Sequence, residues 1–385
     1  MKIAAVICEF NPFHNGHKYL LEEIKAQGYE CVICVMSGSF TQRGDVAITD
    51  KWERTSIALQ NGADLVIELP APFAVASAQR FAKGGVDIIK ATGVVDKVFF
   101  GSECGDIELI RKAAFATENT EVQTIIKEKM NKGEYYPQAL ENAVNKIYGA
   151  EISDILASPN NTLGVEYVKE LTGSGIECST ISRIAVEHDS GIAHGEFASA
   201  SLLREMIFEN KDTNKFVPAG DFSNPAKNEF GERAILYKLK SMSIEDFEKL
   251  PDVSEGLENR IFTAVRKCNT LEELFAEIKT KRYTMARLRR IITSGILGIT
   301  KDLQSSPMPY LRILGMTDRG KLALSEISKN TDLPIVTSVA QALKTMNGCA
   351  KEILMCDIRA TDIRTVFEKN ISESGKDFTT AIIKR

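Results

Sequence analysis

No stretch of this 385-residue chain approaches the roughly 20 consecutive apolar residues that a membrane span needs, and the N-terminal MKIAAVICEFNPFH runs into a polar loop with no basic leader or cleavage site. A cytosolic protein without a membrane partner is expected. Excess charge of one sign is lacking too: 48 Lys plus Arg face 52 Asp plus Glu, a net of −4. That excludes a histone-like coat and confines any nucleic-acid contact to a local patch. Histidine is scarce, with four residues, so any pair of them close together is informative. Internal repeats and low-complexity tracts are missing. What remains, 44% hydrophobic and 26% charged, is the composition of a folded chain, and the length predicts two or three domains.

Eight cysteines are present, mostly inside apolar runs such as AVICEF and ECVICVMSG, where a thiol packs as a small hydrophobe and a reducing compartment keeps it free. Cys31 and Cys34 form a CxxC pair, but along a strand they point to opposite faces. No second pair or nearby histidine completes a zinc set, so no protein-bound metal is expected.

Residues 2–8 (KIAAVIC) predict a strand, followed by a Pro/Gly/Asn loop and a helix in HKYLLEEIKAQG. Residues 30–36 and 65–69 repeat the strand signature, with a helix between them capped by Asp50. An amphipathic stretch at 77–91 precedes a fourth strand at 97–100, and a fifth is expected at 177–182 after several helices. This alternation predicts an α/β fold with a parallel, doubly wound, Rossmann-like sheet, whose ligand lies beyond the carboxyl ends of the strands where strand order reverses. After the polar break FSNPAKNEFG the pattern turns helical. The expected division is 1–222, a nucleotide-binding catalytic domain, and 223–385, a mainly helical domain. The last stretch, 309–385, carries possible strands in PYLRILG, LPIVTS and KEILMC, and either packs as a small α/β lobe or returns to the first domain.

The strongest local signal is EFNPFHNGHKYLL. His14 and His17, half of all the histidines, bracket Gly16 at a strand-to-helix turn. A polyphosphate there would meet backbone N–H groups, the positive end of the helix and two imidazole donors, and Gly16 would allow close approach. The bland alternative is a capped turn with two solvent-facing histidines. Strand, NPxHxGH and helix together resemble the T/HxGH nucleotidyltransferase superfamily, a HUP-type branch of Rossmann-like folds that also contains class I tRNA synthetase catalytic domains. That resemblance implies an ATP site along Ile7, Cys8, Glu9, Phe10, Asn11, Pro12, Phe13, His14, Asn15, Gly16, His17 and Leu20. A second element of that superfamily is matched by ASASLLREM, with Ser199, Ser201 and Arg204, although Ala200 and Leu203 depart from the pattern. Hydroxyls at a helix start and a forked guanidinium suit phosphate oxygens, and the resemblance makes His14, His17 and Arg204 the catalytic candidates.

The segments MSGSFTQRGDVAI, LPAPFAVASAQRFAKGGV, FGSE and SPNNTLGVEYVKEL are similar to those of the bacterial tRNA(Met) cytidine acetate ligase family, over most of the chain. The resemblance implies a ligase that activates acetate with ATP, accompanied by Mg²⁺, as acetyl-adenylate. It then passes the acetyl group to N4 of the wobble cytidine in elongator tRNA(Met), giving N4-acetylcytidine. On their own terms, residues 37–45 read either as a flexible surface loop or as one that folds over a phosphate or small carboxylate. Gly101 is either a turn glycine or the place where adenine or ribose approaches; Arg183 is either a surface charge or, lying beyond a strand's carboxyl end, a guanidinium placed to meet ATP. Asn160 and Asn161 precede the helix TLGVEYVKEL and either cap it or, as the resemblance implies, contact ATP.

Residues 279–301 hold Lys279, Lys281, Arg282, Arg287, Arg289, Arg290 and Lys301 with no acidic residue. On one helix, Lys279, Arg282 and Arg289 would share a face opposite Met285, Leu288 and Ile292. A solvated basic helix is the usual meaning of such a run; the family resemblance makes the first six tRNA-binding candidates, with Arg312, Arg319 and Lys321 extending the surface. Two rivals stay open: a nucleotidyltransferase making a coenzyme or other small adenylated product, and a non-catalytic RNA-binding protein on a nucleotide-binding scaffold. No carboxylate clamp singles out acetate, and no pattern marks an oligomer interface.

Overall fold

The computed structural model of the chain describes residues 1–183, 193, 195–254 and 256–385. Its strands β1 (Ile3–Cys8), β2 (Cys31–Ser37), β3 (Leu65–Leu69), β4 (Lys97–Ser102) and β5 (Glu177–Ser182) pair in parallel in the order β5-β4-β1-β2-β3. Every residue of β1, β2 and β3 is buried, as continuous apolar runs must be when helices cover both faces of a sheet. Cys31 and Cys34 accordingly pack into the cores on opposite faces, and all eight cysteines are free. The chain leaves β1 toward β2 on one side and later places β4 on the other, so the order reverses between β1 and β4. All five carboxyl ends line one rim, and the switch point is its centre.

The sheet does not stop at residue 222. Strand β6 (Leu311–Met316) pairs antiparallel with the outer edge of β3, and β7 (Ile335–Val336) and β8 (Ile383–Lys384) pair in parallel with β6. Of the two arrangements open for the last stretch, it is the return to the sheet that forms. Residues 232–305 lie between as helices, with Leu239, Phe247, Ile261, Leu274 and Ile291 in a core that also takes in Phe40, Val46, Ala71 and Val75 and, from the last stretch, Cys356, Ala360 and Phe367. KEILMC, which reads as a strand, lies inside the helix Gly348–Arg364. That helix buries Asp357 and Arg364 beside Ile353 and Leu354 and exposes Met355, so it shows no amphipathic stripe, and a short apolar run cannot then be told from a strand by period.

Where β3 meets β6, four charged side chains are buried together. Lys51 Nζ lies 2.8 Å from Glu68 Oε1 and 2.9 Å from Asp377 Oδ1, and Arg312 is paired with both carboxylates. Arg312 therefore does not extend a basic surface. Arg319 donates to the carbonyl of Glu30, at the amino-end rim of the sheet, and Lys321 is exposed on the same helix as Arg319. Among the described residues, no helix is long and apolar enough to cross a membrane.

Candidate active site

The turn after β1 is built by its histidines. His14 is the N-cap of the helix Asn15–Ala26, its extended backbone turning Nδ1 back to accept the Gly16 N–H at 3.1 Å. His17 Nδ1 accepts the His14 N–H at 3.3 Å, closing a reciprocal cap. The rings stack with centroids 3.8 Å apart, and the His17 ring also packs on Phe10 and Phe13. A Cβ on residue 16 would stand 2.9 Å from His14 Cε1, so only glycine lets the ring lie back over the turn. Each Nδ1 is occupied as an acceptor, which places the proton of each neutral ring on Nε2.

Burial, with Arg183 and Arg204 nearby, pushes the His14 pKa down to about 3, and burial and His14 itself push that of His17 down. The pair is thus neutral at physiological pH: two Nε2–H donors, with positive charge supplied by the arginines. Unfolded histidines titrate near 6.5, so as the pH falls the unfolded chain takes up protons first. Stability then declines by about 1.4 kcal/mol per depressed histidine for each pH unit below 6.5. The nucleotide-free melting temperature is expected to fall between pH 7 and pH 5, and to fall less in His14→Asn, whose side-chain oxygen can keep the cap. Equal falls in both proteins would show that His14 is not held neutral.

Opposite this turn, Ser199 caps the helix Ala200–Phe208, with Ser201 Oγ 3.3 Å from Ser199 Oγ, and Arg204 one turn on. Arg204 Nη1 donates to the Asn11 carbonyl at 2.8 Å, locking this helix start onto the histidine turn. His14, His17, Ser199, Ser201, Arg204 and Arg183 all line one cavity of about 1110 Å³ over the β1–β4 switch point. The solvent-facing alternative for the histidines is thereby removed.

Residues 37–45 are not a free loop. Phe40 is buried, Thr41 N–H donates to the Asp45 carbonyl, and Gln42 N–H donates to Glu9 Oε1 at 2.6 Å. At Gly44, with φ of +83°, a Cβ would lie 2.7 Å from the Arg289 carbonyl carbon and the Arg290 nitrogen, and Thr293 Oγ1 donates to its carbonyl. The loop is thus keyed into the backbone of the helix Met285–Leu297. Gly44→Ala is expected to cost about 1–3 kcal/mol; a melting temperature equal to wild type would show the contact to be dispensable.

That helix begins at Met285, capped by Thr284, so Lys279, Lys281 and Arg282 lie ahead of it and share no helical face with Arg289. Arg287 donates to the Asp252 carbonyl, buried Arg290 is paired with the Asp252 carboxylate at 2.8 Å, and Arg289 stands 3.7 Å from Asp45. Lys279 and Lys281 are exposed, Lys279 donating to the Tyr283 carbonyl. Arg282, Arg287 and Arg290 nevertheless line the same cavity as the histidines.

Of the residues singled out in the sequence, Ile7, Cys8, Glu9, Phe10, Asn11, Leu20, Gly101 and Asn160 also line the cavity, whereas Pro12, Phe13, Asn15 and Asn161 do not. Asn15 instead donates to the carbonyls of Glu196 and Lys215. Asn160 and Asn161 do not precede their helix: it starts at Pro159, and they occupy its first turn. There Asn161 Oδ1 accepts the N–H groups of Glu103 and Cys104, and the Glu103 carboxylate accepts from Asn160 in return, which fixes the end of β4 against the helix. Sequence reasoning passed over Ser77 and Gln79 at a helix start and Tyr136, Glu166 and Tyr283, all on the cavity wall. Ser77 carried a capping signal; Glu166 reads as the solvent side of an amphipathic helix.

A capped HxGH turn facing a serine–arginine helix start across the switch point of a parallel sheet defines a nucleotidyltransferase fold. Comparison bears this out: residues 1–378 match the HIGH Nucleotidyl Transferase family. The tRNA(Met) cytidine acetate ligases of Acetivibrio thermocellus and a Thermoanaerobacter species are 38% and 39% identical to this chain, with full coverage of both chains in each case. Thermotoga maritima TmcAL has a similar structure, with a TM-score of 0.92 and 32% identity for the apo form, and 0.90 and 31% for the form bound with alpha-thio ATP. Each comparison covers 100% of this chain and 99% of the other. The chain belongs to the tRNA(Met) cytidine acetate ligase family.

Proposed function

We propose that this chain is an ATP-dependent ligase that forms acetyl-adenylate and acetylates N4 of the wobble cytidine of elongator tRNA(Met). The observation that carries this reading is the single cavity in which the histidine turn, the Ser199–Arg204 helix start and the basic segment at 282–290 meet. An enzyme making a small coenzyme has no use for that junction of nucleotide site and basic wall. A scaffold that only bound RNA would not need two neutral, reciprocally capped imidazoles.

In this reading the triphosphate lies along the donor wall, on the Nε2–H groups of His14 and His17, on Ser199 and Ser201, and on the guanidinium of Arg204. Adenosine takes the space beside Gly101, Asn160 and Arg183. An acetate oxygen attacks the α-phosphorus in line and pyrophosphate leaves; the cytidine N4 then attacks the acetyl carbon, AMP leaves, and N4 loses a proton. No enzyme nucleophile is required, so the protein contributes position and fixed donors. Magnesium would enter on the pyrophosphate oxygens. No cluster of three metal-ligating side chains occurs among the described residues, and the carboxylates beside Arg204 on the cavity wall are those of Glu9 and Asp45. Lys279, Lys281 and Arg282 receive RNA phosphates at the mouth. The free cysteines fit a reducing compartment, the cytoplasm.

The test is exchange of radiolabelled pyrophosphate into ATP with and without acetate, followed by incubation with bulk tRNA and mass spectrometry of the nucleosides. Acetate-dependent exchange and acetylated cytidine are expected. Exchange independent of acetate would indicate a different acceptor. No exchange from a folded protein that binds tRNA would leave a binding scaffold.

A further inference from the structure

The acetyl transfer described above leaves one proton without an acceptor. The lone pair of an exocyclic amine is drawn into its ring, so the amine attacks poorly unless a base takes its proton in the same step. The two imidazoles of the turn cannot be that base, because each Nδ1 already accepts an N–H and each Nε2 holds the proton of its neutral ring. Among the described residues the carboxylates on the cavity wall are Glu9, Asp45, Glu134 and Glu166. Three of them are engaged. Glu166 lies against Lys169 through both oxygens, at 3.3 and 3.1 Å. Glu134 accepts from Lys129 and Asn142, and Asp45 accepts from Asn228 at 3.0 Å and stands 3.7 Å from Arg289.

Glu9 differs. Its backbone carbonyl accepts from Arg54 Nη1 at 2.7 Å and its Oε1 accepts the Gln42 N–H at 2.6 Å, so the side chain is fixed at both ends. Oε2 has no hydrogen bond or ion pair among the described residues, and Glu9 is half-buried on the cavity wall. It follows β1 directly at the switch point, and the Asn11 carbonyl two residues on holds Arg204.

We propose that Glu9 is the catalytic base of the transfer step: Oε2 takes the N4 proton as the bond from N4 to the acetyl carbon forms and the bond from that carbon to the phosphate oxygen breaks, AMP leaving with the electron pair. The carboxyl group then returns the proton to water. The inference rests on the ligase reading and adds a residue to its second step. In that reading the acetyl carbon is one oxygen away from the phosphorus of a nucleotide held by His14, His17 and Arg204, and Glu9 stands on the same turn as those donors. Burial raises its pKa, while the Gln42 N–H and the guanidiniums of Arg54, Arg43 and Arg204 draw it back, which leaves a stronger base than an exposed glutamate. The other groups facing it, the Cys8 thiol and the Tyr167 phenol, are kept neutral by burial.

The test separates the two half-reactions. Acetate-dependent pyrophosphate exchange reads adenylate formation, and rapid-quench transfer of radiolabelled acetyl, from adenylate formed on the full chain to an unmodified tRNA(Met) transcript, reads the second step. Glu9→Gln keeps the side-chain length and an oxygen for the Gln42 N–H. It is expected to slow transfer by about 100-fold or more and exchange by less than about tenfold. Wild-type transfer is expected to slow as the pH falls from 7 to 5 and Glu9 takes up a proton, and transfer by the variant to stay flat over that range. Transfer by Glu9→Gln at the wild-type rate overturns the assignment and leaves the proton to the departing phosphate. Equal loss from both half-reactions overturns it too, and makes Glu9 part of the nucleotide site. Should the variant not fold, the wild-type profile decides: a transfer rate independent of pH overturns the assignment. No exchange by wild type removes the ligase reading and this base with it.

Discussion

His17→Ala is expected to lower acetate-dependent pyrophosphate exchange by about 100- to 1000-fold, the usual cost of deleting one pre-organised donor to charge that develops in a transition state. The ring is fixed from three sides, by the His14 N–H on Nδ1, by the stacked His14 ring and by Phe10 and Phe13. Its Nε2–H is thus aimed before the nucleotide arrives, and none of the donor's alignment has to be gained during reaction. Because the ring is held neutral, raising the pH from 6 to 8 is not expected to weaken its contribution. Affinity for tRNA is expected to be about unchanged, since the basic segment stands on another wall of the cavity. Filter binding beside the exchange assay separates the two effects. Wild-type turnover in the variant would take His17 out of the chemistry, and parallel loss of tRNA binding would show that the turn is structural.

Lys51→Met is the stability counterpart. Lys51 is fully buried, and the cluster balances two cations, Lys51 and Arg312, against two carboxylates, Glu68 and Asp377. A third carboxyl, Asp357, carries only part of a charge near pH 7. Burial and the Glu68 charge push its pKa up to about 7, and the Tyr310 hydroxyl donates to it at 2.5 Å. Deleting one cation leaves an uncompensated buried negative charge, which costs about 3–5 kcal/mol. The melting temperature is expected to drop by about 4–6 °C. Adding Glu68→Gln is expected to restore part of the loss, because it removes the stranded charge. A Lys51→Met protein that melts with wild type would show that the cluster is not what closes β3 onto β6.

What was legible in the sequence follows distance along the chain. Strand β1, the turn and the first helix are consecutive, so apolar run, HxGH spacing and helix pattern all pointed to one arrangement. The helix at 159 was also marked locally, by Ser158 followed by Pro159 at the first helical position, a stronger start signal than the asparagine pair taken for it. Arg312 could not be read this way. Its partners are Glu68 and Asp377, which its neighbours in sequence do not announce, and an isolated arginine reads as surface. Arg290 is the same case, paired with Asp252 across a helix junction. Glu166 was hidden for the opposite reason: VEYVKEL gives a polar face to a helix whose polar face turns out to look into the cavity.

The antiparallel pairing of β3 with β6 also bears on how the protein is made. The five parallel strands are complete once residue 182 has been synthesised, but the partner for β3 begins at Leu311. At about 5–20 residues per second, residues 70–310 occupy the ribosome for roughly 10 to 50 seconds. Throughout that interval the backbone of Leu65, Val66 and Ile67 is an unpaired apolar edge, open to any other extended chain. Lys51 and Glu68 wait beside it for Arg312 and Asp377, and salt and crowding during synthesis act on a nascent chain whose nucleotide-binding half is already drawn but not yet sealed.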